Sequence, residues 1–206
     1  GREVRNAPER RPVGTSGTLI VPRRPADDVI ESLLGIADLG AEDVKTCIQS
    51  GNAVFEAEPG IADRIEKDLG PAIGARHGFE PGVLVLALDD LRAACEANPF
   101  PEAEPRTLHF YFLESAPAAP DLERIDALRA AGERYELIDR VFFLHAPDGI
   151  GRSKLATGAE KALGVACTGR NRRTVQAIVE LAGSRDTVRN RTRAAGPTGI
   201  DGGEGK

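Results

Sequence analysis

The chain has no methionine and no tryptophan, and only seven Phe and two Tyr in 206 residues. Its three cysteines, Cys47, Cys95 and Cys167, are far apart and show no C-x-x-C spacing. That excludes a disulfide framework and a standard zinc site, so no metal is expected. The longest apolar run, Val83-Leu84-Val85-Leu86-Ala87-Leu88, falls far short of the roughly 20 residues a membrane span needs, so no membrane partner is expected. The start lacks the apolar core of a signal peptide, which makes the cytoplasm the expected compartment. Without an initiator Met, a trimmed or misassigned start is expected. No cofactor motif is present, and none is expected to bind.

What is there suffices for a core. A chain of this length buries about 70% of its unfolded surface and forms one domain or two small ones. The net charge of −5 hides an asymmetry. Residues 1–24 carry +4 and residues 183–206 carry +2, which leaves −11 for the middle. Neither end shows apolar periodicity, and neither can offset its ordering entropy. Residues 1–17 are therefore expected to be a disordered basic arm, and 183–206 a disordered tail. Basic arms on an acidic body can touch nucleic acid through phosphates, but solvated termini explain them more simply.

The middle reads as two similar halves. Val29, Ile30, Leu33, Leu34 and Ala37 form a helical stripe over 26–39, closed by Gly40. A hairpin follows over 44–57, turning at Gly51-Asn52. Ile61, Ile65, Leu69 and Ile73 mark a helix that Gly70-Pro71 should kink or split. Val83 to Ala87 reads as a strand, and Asp89 can cap a helix through Ala97. Pro99, Pro101 and Pro105 mark a linker. In the second half Leu108, Phe110 and Phe112 share one strand face. A helix carries Leu122, Ile125 and Leu128, and a hairpin turns at Asp139-Arg140. Ser153 caps a helix with Leu155, Ala159, Ala162 and Leu163. A short strand is expected at Val165-Ala166-Cys167, then a helix with Val175, Ile178, Val179 and Ala182. Strand–helix–hairpin–helix–strand is the split βαβ unit. The expected fold is α+β: two tandem ferredoxin-like subdomains with antiparallel sheets, over 18–100 and 106–182. The leading strand of the first is legible only as a short edge strand at Thr18-Leu19-Ile20-Val21.

Four ordered segments carry a family resemblance: Val44-Lys45-Thr46-Cys47-Ile48-Gln49-Ser50-Gly51-Asn52, Ala97-Asn98-Pro99-Phe100-Pro101, Pro147-Asp148-Gly149-Ile150-Gly151-Arg152-Ser153-Lys154-Leu155 and Thr168-Gly169-Arg170-Asn171. Over about residues 40–182 the chain resembles the bacterial domain-of-unknown-function family 1697, small cytosolic proteins with two α+β subdomains. The resemblance implies a fold and brings no mechanism, since the family has no established activity. The chain departs from the family pattern twice. Only Val13-Gly14-Thr15-Ser16-Gly17 echoes the usual Leu-Arg-Gly-Ile-Asn-Val-Gly-Gly opening, and Arg172 stands where Trp usually follows Arg-Asn.

The strongest chemical candidate is the segment from Asp148 to Lys154. Gly149 and Gly151 let backbone amides approach a ligand, and Ser153 opens a helix whose N-terminus favours an anion. It is neither a P-loop nor G-x-G-x-x-G. The second is Thr168 to Thr174, with Arg170, Asn171 and Arg173. Arg152, Lys154, Arg170, Arg172 and Arg173 are cations placed near helix starts, which the macrodipole disfavours by about 0.3–1 kcal/mol each; an anion held between them would account for that. Residues 139–174 carry a net +4 on an acidic body. Gln49, Ser50 and Asn52 could offer polar groups to a ligand, but they are also ordinary turn chemistry. The scattered His77, His109 and His145 read as structural, and Cys47 as a small hydrophobe. Phe110-Tyr111-Phe112 is similar to the stacking strand of RNA-binding ferredoxin-like domains, but those need a basic sheet face, so nucleic acid is not an expected partner.

Three readings stand. The first is a module holding a phosphate-bearing small molecule at Gly149–Lys154 and Arg170–Arg173. The second is an interaction or homo-oligomerisation protein without a ligand. The third is an enzyme acting on a phosphorylated substrate through Ser153, His145 or Asp148.

Overall fold

A computed structural model describes residues 16–20, 36–47 and 52–194. The expected helix over 26–39 lies outside these residues except for its end, as do residues 1–15 of the arm expected over 1–17, Gln49, Ser50 and the last twelve residues; Ser16 and Gly17 are strand, not arm. The described chain runs β1 (Ser16–Ile20), β2 (Glu42–Cys47), β3 (Asn52–Glu56), α1 (Pro59–His77), β4 (Leu84–Ala87), α2 (Leu88–Glu96), β5 (Leu108–Leu113), α3 (Leu122–Leu128), β6 (Arg134–Ile138), β7 (Val141–His145), α4 (Lys154–Leu163), β8 (Cys167–Asn171) and α5 (Arg172–Ala194). The architecture is mixed α and β with antiparallel sheets.

Two four-stranded sheets form, ordered β2-β3-β1-β4 and β6-β7-β5-β8. The first strand is not at an edge. It lies between β3 and β4, with Thr18 opposite both Val54 and Leu86. Its sequence is short and weak, but two flanking strands supply its hydrogen bonds.

Strand alternation gives each sheet two apolar faces. Ala53, Phe55 and Val85 face outward from the first sheet and pack with Ile65, Leu69 and Ile73 of α1. Each of those burials contributes about 1.5–3 kcal/mol, enough to outweigh the roughly 3 kcal/mol that Pro71 costs inside a helix. Accordingly α1 is one unbroken helix, not a split one. Val54, Leu84 and Leu86 face inward. They share a core with Leu88 and Leu91 of α2, Val175 and Ile178 of α5, and Leu108, Phe110, Phe112 and Phe143 of the second sheet. The outer face of that sheet buries Tyr111, Leu113, Tyr135, Leu137, Phe142 and Leu144 against Ile125 of α3 and Leu155, Ala159 and Leu163 of α4. The helices α2 and α5 therefore lie between the two sheets, and one core joins the halves.

The proline segment is built into this core. Phe100 is buried, the Arg134 guanidinium lies 4.8 Å over its ring, and Arg172 Nη1 donates to Pro101 O at 2.8 Å.

Three expectations need correction. Asp89 does not cap α2; it lies inside the first turn, and Ala87 occupies the cap position. The last strand is Cys167–Asn171, not 165–167. Gly, Arg and Asn read locally as a loop, but pairing with β5 overrides that propensity. The expected tail begins as helix, since α5 runs through Ala194.

Candidate functional site

The segment from Asp148 to Lys154 forms a turn and then a helix. Gly149 takes φ +90, a left-handed conformation that favours glycine. Ile150–Arg152 make one 3-10 turn, and α4 starts at Lys154. Ser153 is buried, and its Oγ accepts from Ala156 N at 2.9 Å, so it serves as the helix cap. Asn171 repeats the device at α5, where its Oδ1 accepts from Thr174 N at 2.8 Å. Both helix starts thus satisfy a backbone donor from within. Gly149, Gly151, Arg152, Lys154 and Arg173 are exposed.

Strand register separates the residues of the second segment. Arg170 lies opposite Phe110, on the face toward the first sheet. There its Nε donates to Asn52 Oδ1 at 2.9 Å, and its Nη1 donates to Gly169 O at 2.8 Å and Thr168 Oγ1 at 3.2 Å. Asn52 is fully buried and Arg170 nearly so. The structure brings these two sequence-flagged residues together across 118 positions, as a polar tie between the halves. Arg170 is therefore not at a helix start, since it sits within β8.

Gly169 and Asn171 point the other way, opposite Tyr111 and His109. On that face a cavity of about 190 Å³ opens between β5, β8, the 3-10 turn and the start of α5. Its walls are His109, Tyr111, Ile150, Gly169, Arg170, Asn171 and Thr174. It joins the two segments that the sequence singles out, but mostly through neighbours of the expected residues. A Cβ at 169 would come within 2.9 Å of Tyr111 Cε1, so glycine there gives Tyr111 its place in the wall.

His109 was expected to be merely structural. It is buried in the wall, and its Nδ1 has no hydrogen-bond partner among the described residues. Burial lowers its pKa below the usual imidazole range, with a hydrogen bond to the Thr107 backbone opposing. Burial also raises the Tyr111 phenol far above its ordinary range, helped by Cys167 and Glu133. At neutral pH the wall thus presents an uncharged imidazole and an intact phenol. The alternation of 109 with 111, read against 169 and 171, was the available signal. It became usable only once β8 was placed at 167–171.

Other candidates are committed elsewhere. His145 Nδ1 lies 3.3 Å from Arg134 Nη2, which also bonds Glu102 Oε1 at 2.7 Å. Burial pushes the Cys167 thiol up to about 12 and raises Cys95 as well, so neither is a ready thiolate nucleophile. The side chains of Cys47 and His77 lie outside the described residues. Phe110 and Phe112 are enclosed between the sheets and cannot stack on bases. Among the described residues no group of His, Cys, Asp or Glu could hold a metal ion, and no helix is long and apolar enough to cross a membrane.

A family described as protein of unknown function (DUF1697) matches residues 32–143, more than half of the chain. The match includes His109 and Tyr111 and ends before the 3-10 turn. No curated protein matches the sequence. Among solved structures, a conserved bacterial protein from Streptococcus pneumoniae is similar at a TM-score of 0.61 and 20% identity, covering 82% of this chain and 98% of its own. At that identity the likeness concerns the fold alone.

Proposed function

Given that the chain belongs to the family of proteins of unknown function DUF1697, we propose that it is a binding module for a small phosphate-bearing molecule, seated in the cavity beside β8. One observation carries this: two sequence segments flagged for ligand chemistry line a single cavity, the first through Ile150 and the second through Gly169, Arg170, Asn171 and Thr174. Its volume is below the roughly 300–1,000 Å³ of pockets for drug-sized ligands, which suits a small metabolite better than a dinucleotide. The anionic end would meet Arg152 and Arg173. Both are exposed, and each is close in sequence to a wall residue, Ile150 or Thr174. In this reading Arg170 has a structural task and the capped helix starts are secondary.

The scaffold reading belongs here too. Each sheet has the order of a ferredoxin-like, split βαβ unit, with its second-numbered strand at one edge and its fourth at the other. We take 18–100 and 106–182 as the two units, in a cytoplasmic protein.

Thermal unfolding of the full chain with inorganic phosphate, phosphate monoesters and nucleotides tests the binding. A native-state ligand at a hundred times its Kd stabilises by about 2.7 kcal/mol, so a Tm rise is expected with at least one of them. Arg152→Glu combined with Arg173→Glu should abolish that rise without lowering the unliganded Tm. If no phosphate compound moves Tm, the function is not this one.

A further inference from the structure

We propose that Phe100, Glu102, Arg134 and His145 form a pH-sensitive clasp on the proline segment that joins the two halves. It stays closed while His145 is neutral and opens when that imidazole takes up a proton. Arg134 and His145 are directly opposed on β6 and β7, so their side chains share a face. Arg134 Nη2 lies 3.3 Å from His145 Nδ1 and donates to Glu102 Oε1 at 2.7 Å. The same guanidinium stands 4.8 Å over the ring of Phe100, inside the roughly 6 Å reach of a cation–π contact. Phe100 is buried in the core that joins the halves, and its ring centroid is 6.3 Å from that of His145. One arginine thereby holds two residues of the segment, and His145 is its third partner.

Donor and acceptor chemistry makes this a switch. A guanidinium donates and has no acceptor, so the His145 Nδ1 that meets it must carry no proton, and the neutral ring is then protonated at Nε2. A protonated imidazole donates from both nitrogens. It would set two donors and two positive charges against each other, and a nearby like charge disfavours the charged form. The charged groups bearing on His145 are Arg134 from β6 and Glu102 from the proline segment, while β5 brings Leu108 opposite it. Burial and then Arg134 lower the His145 pKa below the usual imidazole range, with Glu102 opposing. The Glu102 carboxyl is held low, first by its own backbone amide and then by Arg134, so it stays ionised through that range. Once His145 is charged, two cations compete for this one carboxylate, and Arg134 moves off His145 and Phe100. The closed form is therefore complete above the ordinary imidazole value of about 6.5 and is lost as pH falls toward the folded value. The other holds on the segment do not titrate there: Arg172 Nη1 donates to Pro101 O at 2.8 Å, and Asn98 Oδ1 accepts from Phe100 N at 3.0 Å. Opening is thus a local loosening around residues 100–103, not a parting of the halves.

Nitrogen-15 spectra and amide hydrogen exchange of the full chain, from about pH 8 to about pH 5, span the imidazole range and test the clasp. Neutral His145 should show the Nε2–H tautomer, and an Nδ1–H tautomer overturns the proposal. Its pKa should rise in Arg134→Met and fall in Glu102→Gln, by at least about 0.3 unit each. A histidine indifferent to both substitutions overturns it as well. The Ala103 amide, which donates to Phe100 O at 3.1 Å, reports on the segment. Corrected for the intrinsic pH dependence of exchange, its protection should drop at least about threefold as His145 titrates, a local opening. Protection of Gly164 N, which donates to Glu160 O at the end of α4, should hold. His145→Gln keeps a side-chain acceptor for Arg134 and cannot titrate, so the drop at Ala103 should vanish. A drop that persists in this variant, or none in the wild type, overturns the clasp. Should the variant fail to fold, Arg134→Met decides: Ala103 protection should already be low at about pH 8 and indifferent to pH, and protection equal to wild type there refutes the hold of Arg134 on the segment.

Discussion

Arg170 and Asn171 are neighbours on β8, and the strand sends them to opposite faces. Toward the first sheet, Arg170 reaches Asn52 in a region sealed by α2, α5 and both sheets. Away from it, Asn171 caps α5 beside His109 in the wall of an open cavity. On the sealed face Arg170 is joined to Asn52, Thr168 and Gly169. The open face carries His109, whose buried Nδ1 has no hydrogen-bond partner among the described residues. Two polar residues in sequence thus serve two ends: one holds the halves together, and the other borders a place for something else.

The contrast breaks most sharply on the sealed face. Arg170→Ala removes a buried guanidinium and its bonds to three oxygens, and should cost about 3 kcal/mol in urea unfolding, since hydrogen bonds to charged groups are worth about 1.5–3 kcal/mol. Asn52→Ala should cost about 2 kcal/mol on the same grounds. A double-mutant cycle should return a coupling of at least about 1 kcal/mol, within the range for residues in contact. Purely additive losses would mean that the tie between the halves is incidental.

The caps come next. Ser153→Ala should destabilise by about 1 kcal/mol, as the loss of a helix N-cap typically does. Ser153→Asp, which can still accept from Ala156 N, should restore most of it. A loss unchanged by aspartate would show that the buried Ser153 acts through something other than capping.

The smallest effect lies on the open face and shows in pH. The folded-state pKa of His109 is lowered, so below the unfolded value of about 6.5 the unfolded chain binds more protons. The stability given by the neutral imidazole is therefore complete above that pH and falls away as pH drops toward the folded value. His109→Phe should flatten this acid slope, by at most about 1.4 kcal/mol per pH unit, and leave a weaker slope from His145, whose pKa is also lowered. An unchanged slope would place His109 in a more solvated setting than its cavity wall.

Legibility followed the range of the forces involved. The hairpin of β6 and β7 was readable residue for residue, because alternation and a two-residue turn are local. The Ser153 cap was readable because its hydrogen bond spans three residues. The four short segments pointed to the family, and the family match over residues 32–143 agrees and contains the first two of them. β1 was misplaced as an edge strand, since its central position depends on β3 and β4, far along the chain. β8 was read two residues early and two residues short, because Thr-Gly-Arg-Asn has loop propensity and becomes strand only against β5. That one shift hid the cavity: it left Arg170 and Asn171 together at a helix start, when register puts them on opposite faces.

By itself the sequence determined the alternation of apolar faces, the Ser153 cap, the Asp139-Arg140 turn, and the charge of the segment around the site, all of which act within a few residues. Only the tertiary structure decided that Asn52 meets Arg170, that α1 survives Pro71, and that His109 lies in the wall of a cavity. These depend on which strands become neighbours, a choice made by burial summed over the whole core and visible in no single stretch of chain.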